Sequence, residues 1–517
     1  MKRLFAIIVL FVGGAIVLNQ LARKIGAGRW TFHRSEQSQP MVELGLEAAK
    51  EQELIARGKE LFTREWLPGD SRSHAGDGLG PLFNARSCAD CHQLGGLGGA
   101  GGRQSNVTVA SVFLVGDTSQ KPAKSPQQPN RAKLAEIHPA LRSANSFPLH
   151  RFGNDKEYDE WRTQLLSGAT AGFAGLMGGG GLGSAGGGGW GSLDLSSFGG
   201  LSSLGQFTIS HKQVDQSSID LVFSERNAPA LFGSGLIDRI PAQMFHQVAA
   251  RQAWGAEAEP EDIDSESEDK GFPVRGRVSL LKDGRIGRFG WKGEVATLHD
   301  FTLRACAVEL GLEVPGFSKT GAPWKPGYKA PGLDLNEDQC NALVKFVATL
   351  PHPTRKPPET EQHAAETATG QKLFERIGCA VCHQPKLADV EGIYSDLLLH
   401  DMGDFLADNG EYGTSIIASD ETKDNLQLPL VVEGDGKEPA KPKFSASSRE
   451  WRTPPLWGLR DSPPYLHDGR ADTIAAAIVA HQGEGLASAQ KFKRLSFHQQ
   501  HQLELFLQSL VAPGSEH

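Results

Sequence analysis

The chain has 517 residues, 39% of them hydrophobic, and a formal net charge of −8 at pH 7. This length predicts roughly two to four domains, and the hydrophobic content is sufficient for buried cores. The acidic balance gives no indication of a nucleic-acid partner. It is typical of a solvated surface, and a docking face for a basic partner is the alternative interpretation.

Residues 1–25 form the first recognisable element. Lys2 and Arg3 are followed by an apolar run from Leu4 to Leu18. A helix over this run would span about 22 Å, short of a bilayer core of roughly 30 Å. We expect export of the chain, with this segment as an uncleaved signal anchor or as a cleaved signal peptide. The anchor is favoured because no small-x-small cleavage site follows. Such an anchor would hold the protein on the periplasmic or exoplasmic face of the cytoplasmic membrane.

A helical segment followed by a Cys-x-x-Cys-His motif occurs twice. The first copy reads GKELFTREW (58–66) and RSCADCHQLGG (86–96), and the second reads GQKLFERIG (370–378) and IGCAVCHQPKL (377–387). In both copies the helix is expected to deliver the chain to the turn that carries the cysteines.

The motif allows four interpretations. A zinc site usually needs two Cys pairs close in sequence, a thioredoxin-like pair needs a βαβ context, and a disulfide leaves the His unexplained. Haem c attachment uses every position, because the two thiols bond to the porphyrin vinyl groups and the His binds the iron. The sequence therefore predicts two covalently attached haem c groups. Their residues are Cys88, Cys91 and His92 in the first copy and Cys379, Cys382 and His383 in the second.

Two further segments occur in both halves. ERNAPALFGSGLI (225–237) parallels EWRTPPLWGLRDS (450–462), and both LNEDQCNALVKFVATL (335–350) and FHQQHQLELFLQSL (497–510) have helical periodicity. The last two are expected to be the closing helices of their domains. With one haem motif in each copy, this duplication predicts two cytochrome c-like domains that face each other.

The remaining segments set the domain boundaries. Residues 168–205 are a glycine-rich insertion, 257–271 an acidic loop, and 351–360 a proline-rich linker. The predicted fold is mainly α with long loops and an N-terminal anchor helix. Its N-terminal haem domain covers 45–350 and includes the insertion, and its C-terminal haem domain covers 361–512.

Several longer segments resemble a known family, the dihaem oxidoreductases, which are also labelled thiol oxidoreductases. The segments are RGKELFTREWLPGDSRSHAGDGLGPLFNARSCADCH, RNAPALFGSGLIDRIP, GRFGWKGEVATLHDFTLRACAVELGLEVPG, RIGCAVCH, YSDLLLHDMGDFLAD and EWRTPPLWGLRDSPPYLHDGRADT. The resemblance covers about residues 45–512 apart from the insertion, and it relates the chain to bacterial dihaem cytochrome c peroxidases and to MauG. It implies a haem-dependent oxidoreductase, and by resemblance only a calcium ion between the domains.

The resemblance also implies a second axial ligand for the C-terminal haem. In the dihaem peroxidases a segment like PYFHDG precedes that ligand, which is a Met there and a Tyr in MauG. The same register leads from His467 in PYLHDG to His481, and Met402 in LLLHDMG is the alternative. With His383 and His481 on its iron, the C-terminal haem is expected to be low-spin and suited to electron transfer.

The N-terminal haem, held by His92, is then expected to carry out the chemistry. By resemblance His467 points into its distal pocket and passes a proton to bound peroxide, whereas a loop-anchoring hydrogen bond is the alternative role. The peroxidases' distal Glu has no certain counterpart, although Glu225 lies in the right neighbourhood. His246 is a candidate ligand that would close the first iron and leave a plain electron carrier.

The predicted reaction is peroxide reduction with electrons from an external donor, a small cytochrome or a cupredoxin. Trp451 and Trp457 are candidates for coupling the haems, or else for core packing. Three alternatives are open: MauG-like oxidation of a partner protein, oxygenase chemistry on an organic substrate, and a dihaem electron-transfer cytochrome without catalysis.

Two of the six cysteines lie outside the haem motifs. Cys306 and Cys340 fall on predicted helices of the first half, and an oxidising compartment favours a disulfide between them. Separate buried thiols and a catalytic thiol pair are the alternatives.

Overall fold

The computed structural model divides the chain into two compact units, Met1–Glu53 and Leu54–His517. It describes residues 38–115, 128–165, 207–214, 217–258, 273–325, 328–353, 355–408, 410, 430–431 and 444–513. The predicted anchor segment, the glycine-rich insertion and most of the acidic loop lie outside these ranges. Within them, no helix has the length and apolar character needed to cross a membrane. Both predicted haem domains fall mainly within the second unit.

Helices form most of the regular structure around the two haem motifs. They are α1 (Ser38–Thr63), α2 (Arg131–Ile137), α3 (Ser234–Arg239), α4 (Ala242–Ala258), α5 (Leu298–Glu309), α6 (Glu337–Ala348), α7 (Glu361–Arg376), α8 (Ile474–Val479), α9 (Leu486–Arg494) and α10 (Phe497–Gln508). The helical segments that the sequence predicts before each motif correspond to the end of α1 and to α7. The two predicted closing helices are confirmed as α6 and α10.

Both closing helices begin with a reciprocal side-chain cap. The side chain of Asn336 accepts a hydrogen bond from the backbone N–H of Gln339, whose side chain in turn accepts from the Asn336 N–H. Ser496 and Gln499 form the same pair at the start of α10. Each cap satisfies two backbone donors that the first turn leaves without partners, so both helices start at a residue that the sequence specifies.

A glycine allows close helix packing at the same place in each half. A Cβ at Gly58 on α1 would lie 2.0 Å from the carbonyl oxygen of Ala342 on α6, and a Cβ at Gly370 on α7 would lie 1.9 Å from that of Gln502 on α10. No side chain fits at such distances. The helix before each haem motif therefore crosses its closing helix at backbone contact, which explains the shared glycine in GKELF and GQKLF.

The prediction of a mainly α fold is not confirmed, because the described residues include a five-stranded sheet. The strands of the structure are β1 (Leu82–Phe83), β2 (Val107–Val115), β3 (Ser146–Leu149), β4 (Phe152–Gly153), β5 (Phe207–Val214), β6 (Ser217–Arg226), β7 (Lys386–Leu387), β8 (Val390–Glu391), β9 (Leu399–Asp401), β10 (Leu430–Val431) and β11 (Glu450–Arg452). The sheet has the order β10-β2-β6-β5, and β3 pairs with β2.

Alternating burial explains the sheet. Along β6 the residues from Ser217 to Phe223 alternate between buried and partly exposed, which is the period of a strand with one face on a core. Its inward residues Ile219, Leu221 and Phe223 share a hydrophobic cluster with Phe147 on β3. The sheet and its cluster flank the glycine-rich insertion in sequence, so this part of the first half has a core of its own.

Candidate functional site

The first haem motif places one histidine with a free ring nitrogen against a cavity. The backbone N–H of His92 donates to the carbonyl of Cys88 at 3.0 Å, and His92 Nδ1 lies 3.1 Å from the carbonyl oxygen of Gly99. A carbonyl can only accept, so Nδ1 carries the proton and Nε2 is left as a metal-binding atom. Burial lowers the pKa of His92 to about 4, which keeps the ring neutral as a ligand requires.

The second motif repeats this geometry. The His383 N–H donates to the Cys379 carbonyl at 3.0 Å, and His383 Nδ1 lies 3.0 Å from the Tyr394 carbonyl oxygen. Burial, helped by His481, lowers the pKa of His383 to about 4. A phenylalanine lies near each histidine. The ring centroids of Phe62 and His92 are 6.4 Å apart, and so are those of Phe374 and His383.

Each motif opens onto its own cavity. The smaller cavity contains Cys88, Cys91 and His92 in its wall together with Phe62 and Leu343. The larger cavity is lined by Cys379, Cys382 and His383, and by apolar residues such as Phe374 and Leu507. Two thiols and a free imidazole nitrogen facing an apolar cavity are the donor set that a haem needs, so the residues present fit the group at both sites.

The larger cavity holds both candidates for a second axial ligand. His481 follows α8 and is partly buried, with its Nδ1 2.7 Å from the Ala477 carbonyl oxygen, so its Nε2 is also left free. Met402 lines the same cavity. The two side chains are near neighbours, because a Cβ at Gly485 would lie 3.0 Å from the His481 Cβ and 3.1 Å from the Met402 Cε.

The smaller cavity offers no such residue. Among the described residues that line it, His92 is the only His, and there is no Met or Tyr. His246, the candidate that would have closed this iron, lies exposed on α4 and does not line the cavity. The larger cavity therefore combines His383 with further His and Met side chains, whereas among the described residues of the smaller cavity His92 has no such companion.

The structure places His467 at the larger cavity and not at the smaller one. Its ring stacks on Trp451 with 3.7 Å between centroids, and its Nε2 has no hydrogen-bond partner in the described structure, with Asp408 3.8 Å away. Burial, reinforced by nearby positive charges, lowers the pKa of His467 well below its usual value. The proton-transfer role that the family resemblance gives to this side chain stays a prediction.

Sequence reasoning missed an acid in the smaller cavity. Glu309, the last residue of α5, lines this cavity, and its Oε2 accepts a hydrogen bond from Asn84 at 2.8 Å. Its Oε1 has no partner among the described residues. Burial raises the pKa of Glu309 to about 7, against the opposing effect of the Asn84 bond. Glu225, the acid singled out from the sequence, does not line the cavity and accepts from Asn106 at 2.8 Å.

The two cavities share a wall. Trp291, Asn227 and Phe301 are among the residues that line both, and Trp291 Nε1 donates to the Asn227 carbonyl at 2.8 Å. Trp451 and Trp457, the aromatic residues singled out from the sequence, line only the larger cavity. Trp291 could not be predicted from residue spacing. Its position depends on how the surrounding segment packs against both cavities.

Beside the larger cavity, His400 lies between two buried carboxylates. His400 Nδ1 is 2.6 Å from Glu484 and Nε2 is 2.9 Å from Asp396. Burial opposes its charged form, but Cys382 and Asp396 raise the pKa of His400 well above its usual value. Cys382, Asp396 and His400 are the one compact group of His, Cys and acidic donors in the described ranges. It does not suit calcium, which prefers oxygen ligands, so the interdomain calcium stays a prediction.

The remaining cysteines are free thiols in the structure. Cys306 on α5 and Cys340 on α6 are both buried and belong to one hydrophobic cluster. The expected disulfide is not found. Both side chains pack as small apolar groups, the role that free buried cysteines usually have.

Two cavities with this donor set, separated by one shared wall, are the arrangement expected of a dihaem redox protein. Residues 415–510 match the family model described as "Di-haem oxidoreductase, putative peroxidase". The gamma subunit of hydrazine synthase from Kuenenia stuttgartiensis is 27% identical over 161 residues, which are 30% of this chain and 44% of that subunit. The chain thus spans less than half of this curated relative. Both matches support a likeness to the dihaem oxidoreductases.

Two solved structures are also similar in part. The hydrazine synthase of Kuenenia stuttgartiensis, pressurised with 20 bar xenon, is 22% identical with a TM-score of 0.23 over 36% of this chain and 59% of its own. A MauG-like protein associated with microbial copper homeostasis is 17% identical with a TM-score of 0.25 over 53% of this chain and 90% of its own. Neither TM-score establishes a shared overall fold.

Proposed function

We propose that the protein is an exported dihaem c-type oxidoreductase that reduces peroxide at its N-terminal haem and transfers electrons through its C-terminal haem. The observation that carries this proposal is the difference between the cavities. His383 and His481 both line the larger cavity, whereas His92 has no second His, Met or Tyr among the described residues of the smaller one. An iron held on one side only can bind a small oxidant.

The residues that would hold the two groups follow from the motifs. Cys88 and Cys91 would bond to one haem with His92 on its iron. Cys379, Cys382 and His383 would hold the other, with His481 as its second axial ligand. A haem with a free axial position supplies, when bound, the redox chemistry that breaks the O–O bond of a peroxide.

Glu309 is the residue best suited to move a proton in the smaller cavity. Its pKa of about 7 means that at neutral pH the carboxyl is present in both protonation states, as an acid–base catalyst requires. Its Oε1 faces no protein partner and can receive or give a proton there, while the Asn84 hydrogen bond holds Oε2 in place.

Trp291 is the residue best placed to support electron transfer between the sites. It stands in the shared wall with its indole fixed by the Asn227 carbonyl. His467 is assigned a different role from the one that the resemblance implied. We propose that its neutral ring, which stacks on Trp451 in the larger cavity, orders that wall, and that Glu309 carries the proton in the smaller cavity.

Export, membrane anchoring through residues 1–25 and reduction by a small cytochrome or a cupredoxin complete the proposal. They rest on the sequence, since the anchor lies outside the described residues. Fractionation of cells that produce the full chain tests the location. Recovery of haem-loaded protein in the cytoplasm would contradict export.

Spectroscopy of the purified, haem-loaded protein tests the central assignment. We expect one high-spin and one low-spin ferric haem by optical and EPR spectra, and intact mass under denaturing conditions should include two covalent haems. Two low-spin signals would replace the peroxidase assignment with that of an electron-transfer cytochrome. A mass without haem would contradict the predicted covalent attachment.

A further inference from the structure

The smaller cavity contains a buried arginine that the proposed peroxide chemistry leaves without a role. Arg304 lies on α5, whose residues Phe301, Thr302 and Ala305 line the cavity with it. On the other side of the helix, Leu303 and Cys306 pack into the hydrophobic cluster. This is the pattern of a helix with one face on a core, and it puts the Arg304 side chain into the cavity wall.

The guanidinium has no hydrogen-bond partner in the described structure. Arg304 is only 5% exposed, and neither its Nε nor its Nη1 donates to any described residue. Burial lowers the pKa of Arg304, and the attraction of Glu294 and Asp300 only partly offsets this effect. Neither carboxylate makes a hydrogen bond to the guanidinium among the described contacts.

A second arginine in the same cavity shows the contrast. Arg226 also lines the smaller cavity, but it forms an ion pair with Asp408 and donates to the carbonyls of Glu225 and Gly410. A buried guanidinium without such partners is unfavourable, because it has lost its water and gained nothing in return. Its presence in a cavity wall is explained if an anion enters the cavity and pairs with it.

We propose that Arg304 is the carboxylate-binding residue of the smaller cavity. The planar guanidinium presents parallel N–H donors that match the two oxygens of a carboxylate. The inference rests on the proposed function, because a haem occupies this cavity in the working protein. The carboxylate has two sources, a propionate of that haem or a small carboxylate ligand bound beside it.

Formate and imidazole titrations distinguish a haem propionate from a small carboxylate ligand, and both from the absence of a carboxylate-binding role for Arg304. The full-length, haem-loaded wild type is compared with Arg304→Gln, which removes the charge, and with Arg304→Lys, which keeps it. Formate is a small carboxylate and imidazole a neutral ligand, and both binding reactions are followed by the high-spin optical bands. The midpoint potential of the high-spin haem is measured on the same samples.

If the carboxylate is a free ligand, Arg304→Gln weakens formate binding by roughly tenfold or more, as expected for loss of a charge-assisted hydrogen bond. Imidazole affinity then changes by no more than about twofold, and the formate affinity of Arg304→Lys lies between those of the wild type and Arg304→Gln. If the carboxylate is the propionate, formate binding is unchanged, and the midpoint potential of this haem falls in Arg304→Gln but less in Arg304→Lys.

Arg288→Gln is the matched control, since Arg288 lines only the larger cavity. It should leave formate binding and the potential of the high-spin haem unchanged. Equal formate affinity and equal potential in wild type and Arg304→Gln would overturn the inference. Two low-spin haems in the wild type would instead overturn the proposed function, and the potential measurement on the first haem would still test Arg304.

Discussion

The two halves are built alike around the histidine of each Cys-x-x-Cys-His motif and differ in the other residues that line their cavities. The helix before each motif crosses its closing helix at a glycine, and a phenylalanine pair, Phe62–Phe346 or Phe374–Phe506, stands with 5.3 Å between centroids in both. His92 and His383 each bond a backbone carbonyl through Nδ1. The two halves thus share the geometry with which each motif would hold a haem.

The difference lies in the remaining residues of each cavity. The larger one adds His481 and Met402, and the smaller one adds Glu309 and Arg304. A second neutral ligand closes an iron and suits it to electron transfer, whereas titratable and charged groups suit an open site where substrate protons and charges must be handled. On the proposed function, one scaffold would support two roles, and side chains outside the duplicated motif would make the difference.

The largest expected effect comes from removing one attachment site. Cys88→Ser with Cys91→Ser should lower the intact mass by one haem and reduce peroxide turnover to background, because the smaller cavity is the proposed reaction site. The matched change, Cys379→Ser with Cys382→Ser, should also lose one haem but leave the high-spin signal. Survival of that signal in the first double variant would reverse the assignment of the two sites.

Removing the proposed second axial ligand of the C-terminal haem is the next test of the comparison. His481→Ala should keep two covalent haems, because the thioethers depend on Cys379 and Cys382, and should convert the low-spin signal to high-spin. Met402→Leu is the matched control and should leave the low-spin signal in place. If the low-spin signal persists in His481→Ala and disappears in Met402→Leu, the ligand is Met402.

Glu309→Gln should lower kcat/KM for peroxide by roughly a hundredfold, the usual size of an acid–base contribution. Glu225→Gln, at a partly buried carboxyl outside the cavity, should leave the rate unchanged. Equal losses in both variants would mean a structural effect and not proton transfer.

The same variant has a defined pH dependence of stability. Burial raises the pKa of Glu309 from 4.5 to about 7, so the protonated side chain favours the fold. This contribution is complete below the unfolded pKa of 4.5 and is lost as the pH rises through about 7. We expect the thermal midpoint of the wild type to fall relative to that of Glu309→Gln between these values, and a constant difference would contradict the burial of this carboxyl.

The smallest effects concern the shared scaffold. Gly58→Ala and Gly370→Ala should each lower the free energy of unfolding, by roughly 1–3 kcal/mol as for other overpacked sites, because the new Cβ would meet backbone. Gly255→Ala is the control on α4, where a Cβ meets nothing within 4 Å. It should be neutral or stabilising. Denaturant unfolding of the haem-loaded variants measures this, and a loss in one half only would show that the halves are not packed alike.

Local patterns in the sequence were enough for the duplicated part of the molecule. The haem motifs, the helices before them and the capped helices α6 and α10 were all predicted, because each depends on residues within a few positions of one another. The register from His467 to His481 also brought a second histidine to the right cavity. The sheet was not predicted although β2 and β6 are rich in β-branched and aromatic residues, since the pairing of β2 with β6 joins segments far apart in the chain.

The sequence by itself predicts two haem sites and determines which turns would carry them, because the haem c motif consists of five consecutive residues. Only the tertiary structure decided what stands opposite each site. Glu309 and Arg304 reach the smaller cavity through the packing of α5, Trp291 enters both walls, and His467 turns to the larger cavity. These positions depend on contacts between segments far apart in the chain, which no local spacing encodes, and on burial, which sets the protonation state of each side chain only once the fold has formed.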